Sequence, residues 1–160
     1  MKKSRILNSH LNRAIATLGH GDLVVIADAG FPIPDEAKRI DLAIEQDVPT
    51  IVDIFDLMKS DFIYERCILA EEQKNYNPKL FEKITELSDR CAVETIPHEE
   101  FIHDMPERAK YIVRTGAFEP WGNIALISGV DAPSWFKKEG TVVPDYYEER
   151  AGYEEGEDGS

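Results

Sequence analysis

The chain has 160 residues with 18 basic and 31 acidic side chains, so its formal net charge is −13. Phosphate backbones and anionic membranes are bound mainly through Lys and Arg, so this charge argues against nucleic acid and membrane partners. The length suits one domain, and the apolar content of 42% is ordinary for a globular protein. Cys67 and Cys91 are too few for a disulfide scaffold and are not spaced for zinc.

The amino-terminal segment carries no targeting signal in its pattern. Its basic start, MKKSRIL, is followed at once by polar residues rather than by the apolar run of a signal peptide. No apolar stretch approaches the roughly 20 residues that a membrane-spanning helix needs. We therefore expect a cytoplasmic protein.

The first third of the chain predicts a helix, a buried strand and a loop. Residues 10–18 place apolar side chains on one helical face, with Asn8 or Ser9 as the N-cap. Residues 23–27 are a continuous apolar run, which is typical of a strand buried on both faces. Residues 29–34 contain Gly and two Pro and predict a loop, and residues 39–43 predict a short strand.

The rest of the core alternates between helix and strand patterns. Helices are predicted to start at Asp47-Pro49 and at Asn77-Pro78, and a third spans residues 98–107. Strands are predicted at residues 62–70, 92–96, 109–113 and 123–127. Alternation of this kind predicts an α/β fold, a single domain with a central and largely parallel sheet flanked by helices, with a mixed sheet as the alternative.

The end of the chain differs in composition from the rest. Residues 131–160 hold nine acidic and three basic side chains. We predict a core domain at residues 1–133 and an acidic extension at residues 134–160, with the last ten residues disordered. The aromatic residues of the extension have two interpretations: a segment that docks on its own or a neighbouring subunit, or a loosely packed tail.

Two residues beside the first buried strand could carry acid–base chemistry. His20 lies between two glycines just before the strand, where the backbone can expose an imidazole that both gives and takes a proton near neutral pH. Asp28 follows the strand, and ligands of open α/β sheets bind outside the carboxyl ends of strands. The alternatives are a surface histidine and an aspartate that caps the loop.

Later segments add side chains that suit a sugar. His98 lies between a strand and a helix, where it could line a pocket or cap the helix. Trp121 offers a flat apolar face and Asn123 offers a donor and an acceptor, although both could belong to a turn with a buried anchor. His98 and His103 do not share a helix face, so no metal pair is predicted. The adjacent pair Glu71-Glu72 is expected to be solvated, and Cys67 is expected to be buried.

Eight short segments occur in an order that is specific as a set. They are Ile6–Ser9, Leu18–Asp22, Ala27–Pro34, Arg39–Leu42, Ala70–Glu72, His98–Phe101, Val113–Gly116 and Asn123-Ile124. Together they make residues 1–130 resemble the ribose pyranase/L-fucose mutarotase family, and the segment from Asp28 to Pro34 favours the ribose branch.

The resemblance implies a sugar isomerase without metal or organic cofactor, which interconverts pyranose and furanose forms, or anomers, of D-ribose or a related monosaccharide. It implies His20 as the proton donor, and Asp28 and His98 as sugar contacts. Trp121, Gly122 and Asn123 match a sugar-binding segment of the family. It also implies a homo-oligomer, a decamer of two pentameric rings, with active sites at subunit contacts.

Two departures from the family pattern bear on this interpretation. Trp121 stands where the family has Tyr, and an indole only donates a hydrogen bond whereas a phenol also accepts one. Family members usually end near residues 130–133, so residues 134–160 are an additional segment. The alternatives are an L-fucose-type mutarotase and a sugar-binding protein on the same scaffold with weakened catalysis.

Overall fold

The computed structural model describes residues 1–152, which fall into two compact units. The first unit is Met1–Gly129, and the second begins at Val130. The disorder predicted for residues 151–160 falls almost wholly on residues 153–160, which lie outside the described residues. Ala151 itself ends a short helix.

The first unit alternates strands and helices along its whole length. Its strands are β1 (Leu23–Ala27), β2 (Arg39–Asp41), β3 (Tyr64–Ala70), β4 (Val93–Ile96), β5 (Tyr111–Arg114) and β6 (Ile124–Ser128). Its helices are α1 (Ser9–Thr17), α2 (Ile51–Lys59), α3 (Glu71–Tyr76), α4 (Pro78–Leu87) and α5 (His98–Arg108). A short 3-10 helix, Glu36–Lys38, precedes β2.

The strands form one mixed sheet in the order β2-β5-β1-β6-β3-β4. Five strands run in the same direction, and β6 lies between β1 and β3 antiparallel to both. The prediction of a largely parallel α/β sheet is therefore confirmed. The reversed strand occupies a central position, so the segment before β6 lies at the edge where the other strands end.

Helices cover both faces of the sheet, as the continuous apolar strands require. One face packs β1, β3 and β6 against α1, α2 and α4, with Phe55, Met58 and Ile84 among the buried side chains. The other face packs against α5 through Phe101 and Met105. Cys67 is buried in β3 as predicted, and burial raises the pKa of its thiol to about 12.

Two local predictions differ from the structure. Helix α2 begins after Thr50, whose hydroxyl accepts from Asp53 N at 3.1 Å in a capping box, rather than at Asp47. Asp47 instead has φ +58° and its carboxylate accepts from Phe118 N at 2.9 Å. Helix α3 was not predicted, because six residues are too short for a clear helical period.

The second unit consists of short helices and ring contacts. It contains α6 (Ala132–Trp135), a 3-10 helix at Asp145–Tyr147 and α7 (Glu148–Ala151). The rings of Phe136 and Tyr147 lie 5.7 Å apart. In residues 1–152, no helix combines the length and the apolar character needed to cross a membrane.

Gly116 lies just after β5 and packs against the loop before α2. A substitution at Gly116 therefore tests how tightly that loop is packed. A Cβ at this position would lie 2.3 Å from Glu45 O and 2.5 Å from Val48 O, and both are backbone atoms. We expect Gly116→Ala to lower the free energy of unfolding by about 3 kcal/mol, because overpacking displaces backbone. Urea unfolding measures it. Gly30→Ala, whose Cβ would meet nothing closer than 3.7 Å, is the control, and an equal effect of both variants would contradict the prediction.

Candidate functional site

A polar cluster forms at the edge of the sheet where β1, β3 and β4 end and β6 begins. Asp28 follows β1, and Asn123 immediately precedes β6. The side-chain oxygen of the buried Asn123 accepts from Asp28 N at 2.8 Å. This bond fixes the position of Asp28, because an unpaired N–H next to a buried strand would be costly.

One oxygen of the Asp28 carboxylate accepts a hydrogen bond from its own loop. Its Oδ1 accepts from Gly30 N at 2.9 Å, which is the loop-capping contact that the sequence left open as an alternative. No other hydrogen bond to this carboxylate occurs within residues 1–152. Its second oxygen is therefore available to accept a hydroxyl from a ligand.

Trp121 lies in a tight turn before Asn123. Gly122 N donates to Glu119 O at 3.1 Å, which closes the turn. Pro120 holds its second position, and Trp121 holds its third with φ +52°. A Cβ on Gly122 would lie 2.7 Å from Glu119 Cβ, so glycine is required there.

The indole of Trp121 lies near two other rings. Its centroid is 5.3 Å from that of Tyr76 and 6.5 Å from that of His98, and the His98 ring is perpendicular to it at 89°. His98 N, at the start of α5, donates to Glu72 Oε2 at 2.8 Å. His98 Nδ1 is buried and has no hydrogen-bond partner in the described part of the chain.

Helix α3 holds the Trp121 turn through two amide side chains one helical turn apart. Gln73 Nε2 donates to Trp121 O at 2.7 Å, and Asn77, which follows the helix, donates to Pro120 O at 3.1 Å and to Glu119 Oε2 at 2.9 Å. The expectation of a solvated Glu71-Glu72 pair holds for Glu71, which is exposed, whereas Glu72 is half-buried and bonded to His98 N.

His20 lies at the opposite edge of the sheet. Its loop turns at Gly21, which has φ +85° and donates to Ser128 O at 2.8 Å. His20 Nε2 lies 3.0 and 3.1 Å from the two carboxylate oxygens of Glu65 on β3. The side chain of His20 is 43% exposed and that of Glu65 is 16% exposed, so the histidine remains open to a ligand.

The structure thus gathers five of the six predicted site residues and separates the sixth. Asp28, His98, Trp121, Gly122 and Asn123 share one edge of the sheet. His20 is separated from Asp28 by the whole of β1, whose five residues span about 17 Å at 3.3–3.4 Å per residue. Within one chain, His20 and Asp28 do not act on one small ligand.

Sequence reasoning missed Glu65 and Gln73. Glu65 stands beside Arg66 in a strand pattern whose other residues are apolar or aromatic, and this charged pair was the available signal. Gln73 gave no signal, because its burial depends on α3 packing below the turn. Among residues 1–152 no group of three or more His, Cys, Asp or Glu side chains is placed to hold a metal ion.

The helices on both faces of a mixed sheet define a small α/β protein. The aromatic, amide and carboxylate groups at its strand ends form a site suited to a polar, uncharged ligand. The comparison with known proteins agrees with this class. Residues 1–131 match the model described as the RbsD / FucU transport protein family. The chain belongs to this family.

Relatives match along most of the chain. D-ribose pyranase 2 of Rubrobacter xylanophilus is 49% identical, with 95% of this chain and 99% of the relative covered. D-ribose pyranase 1 of Streptomyces griseus is 46% identical, with 92% and 97% covered. The solved structure of Bacillus subtilis RbsD complexed with D-ribose is 39% identical at a TM-score of 0.76, covering 81% of this chain and 98% of that one.

The coverage of these matches bears on the carboxyl-terminal extension. The family model ends at residue 131, and the Bacillus subtilis chain is covered almost completely by 81% of this chain. The Rubrobacter xylanophilus relative, in contrast, matches 95% of this chain and therefore most of the extension. The extension is thus shared with some relatives, whereas the sequence suggested an addition to the usual family length.

The loop that carries His20 is anchored by Asp22, which gives it a pH dependence. Gly19 N and Lys110 Nζ each donate to Asp22 Oδ2 at 2.7 Å, and these two bonds lower the pKa of the carboxyl. A lowered pKa in the folded state stabilises the fold above the unfolded value near 3.9, and this contribution is lost as the pH falls through the folded pKa.

We expect Asp22→Asn to lower the free energy of unfolding by about 1 kcal/mol at pH 7, the usual value of such a hydrogen bond. The difference from the unsubstituted protein should shrink as the pH is lowered below about 4. Urea unfolding at several pH values measures it, with Asp61→Asn at an exposed position as the control. A difference that grows toward acid pH would contradict the prediction.

Proposed function

We propose that the protein interconverts the pyranose and furanose forms of D-ribose. The observation that carries this proposal is the cluster of Asp28, His98, Trp121 and Asn123 at the strand ends, in a chain whose relatives at 46–49% identity are named D-ribose pyranase. Solved fucose-related structures are only 21–22% identical and share the fold alone, so ribose is the first substrate to test.

The site supplies the contacts that a neutral polyol needs. Trp121 presents an indole face that can stack on the C–H face of a sugar ring. The second oxygen of Asp28 can accept a hydroxyl, and the Asn123 amide nitrogen can donate to another. His98 borders the same indole at a ring separation of 6.5 Å, so its imidazole can reach a third hydroxyl. No group of net positive charge is needed, which fits the acidity of the chain.

Ring opening requires only proton transfers. His20 donates a proton to the ring oxygen while Asp28 accepts the proton of the anomeric hydroxyl, and the bond between the anomeric carbon and the ring oxygen breaks to give the open aldehyde. A different hydroxyl then adds to the aldehyde carbon and the two protons return. No atom is gained or lost, so these proton transfers balance without a further reactant.

The separation of His20 from Asp28 supports a site to which a second copy of the chain contributes. We assign His20 to one subunit and the Asp28 cluster to its neighbour. Exposed apolar side chains beside the Asp28 edge support a contact there: Ile44 is 81% and Phe118 is 63% exposed. Two hydrogen bonds join the segments that form this surface, because Asp47 N donates to Gly116 O and Phe118 N donates to the Asp47 carboxylate. A decamer of two pentameric rings and a cytoplasmic location stay predictions.

A mixing experiment tests the reaction and the shared site together. His20→Ala and Asp28→Ala should each reduce ring exchange by at least 100-fold, because each removes one proton-transfer partner. When the two variants are unfolded together and refolded, some contacts pair an intact His20 with an intact Asp28, so about a quarter of them should regain activity. Saturation-transfer NMR of D-ribose measures the exchange, and His10→Ala, an exposed histidine on α1, is the control.

The possible outcomes separate the alternatives. No recovery on mixing, with both variants refolded, would contradict the shared site. Ribose binding without faster exchange in the unsubstituted protein would favour a sugar-binding role, and Trp121→Tyr would then show whether the indole is the cause. Faster exchange of L-fucose than of D-ribose would favour the mutarotase alternative.

Glu65 is expected to orient His20 for proton donation. Its carboxylate holds Nε2, which leaves Nδ1 to face the ligand. Glu65→Gln should lower the maximal exchange rate at least 10-fold and change the half-saturating ribose concentration little, because Glu65 touches His20 and not the sugar. Glu94→Gln, which breaks the exposed pair with Arg66, is the matched control. Equal exchange rates in Glu65→Gln and the control would contradict this role.

A further inference from the structure

Gln73 is a polar residue that is completely buried, and such a residue needs an explanation. Its amide nitrogen donates to Trp121 O at 2.7 Å, while its Oε1 is buried without a partner among the described residues. A leucine or methionine would fill the same volume without leaving an unpaired oxygen. The role of the buried amide is therefore to hold the carbonyl of Trp121, and not to stabilise the core.

The turn that Gln73 holds is one that its sequence does not favour. Proline in the second position and a positive φ in the third match a type II turn, in which the third residue is normally Gly or Asn. Trp121 occupies that position with φ +52°. A bulky side chain in this conformation is strained, so the turn persists only if its surroundings hold it.

Three hydrogen bonds from α3 and the residue that follows it supply that restraint. Gln73 holds the carbonyl of Trp121, and Asn77 holds the carbonyl of Pro120 and the carboxylate of Glu119. Gln73 lies inside α3 and Asn77 follows its last residue, so the helix and the residue after it place both amides against the turn. Tyr76, between them, contacts the indole at a centroid distance of 5.3 Å.

We propose that Gln73, assisted by Asn77, is a positioning residue that fixes the indole of Trp121 in the orientation in which it binds sugar. The proposal rests on the proposed function, because it takes Trp121 to be part of the sugar site. Gln73 does not touch the ligand. It restrains the backbone of the turn, and the turn holds the ring near Tyr76 and His98.

Gln73→Met is the direct test, since methionine has nearly the same shape and no hydrogen-bond donor. The half-saturating D-ribose concentration should rise about 10-fold, and the maximal exchange rate should stay within about twofold, because His20 and Asp28 are untouched. The Trp121 indole N–H resonance should move in the sugar-free protein. Trp135→Phe assigns that resonance, since the chain has two tryptophans.

Gln73→Glu adds a readout that loss of packing does not produce. At high pH the carboxylate faces the Trp121 carbonyl as a second acceptor and repels it. At low pH the protonated carboxyl donates to that carbonyl and restores the bond. The ratio of half-saturating ribose concentrations, variant to unsubstituted protein, should therefore fall toward one as the pH is lowered from 9 to 5.

Controls and further variants keep the test decisive. Lys79→Gln, at an exposed position on α4, should leave ribose binding and the indole resonance unchanged. If Gln73→Met does not fold, Asn77→Ala and Gln73→Glu carry the same test. Unchanged ribose affinity and an unmoved indole resonance in these variants would overturn the proposal. If the unsubstituted protein neither binds nor interconverts ribose, the proposed function fails, whereas the indole resonance still reports on Gln73.

Discussion

The reversed direction of β6 is the constraint on which the rest of the site depends. Because β6 runs antiparallel between β1 and β3, the residues that precede it lie where its neighbours end. That places Asn123 beside Asp28, and the side-chain oxygen of Asn123 accepts a hydrogen bond from Asp28 N at 2.8 Å. In a fully parallel sheet the Trp121 turn would lie at the other edge with His20, and the aromatic, amide and carboxylate groups would not meet.

The sequence predicted the layers of helices and sheet better than the place and direction of each strand within the sheet. Continuous apolar runs such as Leu23–Ala27 indicate strands covered on both faces, and α5 on one face and α1, α2 and α4 on the other provide that cover. Strand direction carries no such signal, because an apolar run looks the same in either orientation. The central place of β6 therefore came from the structure alone.

The sequence predicted those site residues whose type and place after a strand mark them. It did not predict the residues that reach the site only through the packing of a helix. Asp28 and His98 each follow a strand, and that position alone marks them. His20 precedes its strand, so the same rule already places it at the opposite edge of the sheet. Family resemblance grouped His20 with the others, and the resemblance carries no information on which subunit supplies each group. Glu72 and Gln73 depended on where α3 packs, which no local pattern reveals.

The Trp121 turn shows why a site accepts local strain. Glycine would fit a φ of +52° without strain but would provide no ring, and tyrosine would meet the same backbone restriction as tryptophan. Any large ring at this place therefore needs a restraint from outside the turn. Gln73 supplies such a restraint by donating to the carbonyl of Trp121 at 2.7 Å. The unpaired Oε1 of Gln73 is the cost of that restraint, and the proposed role of the ring in sugar binding accounts for it.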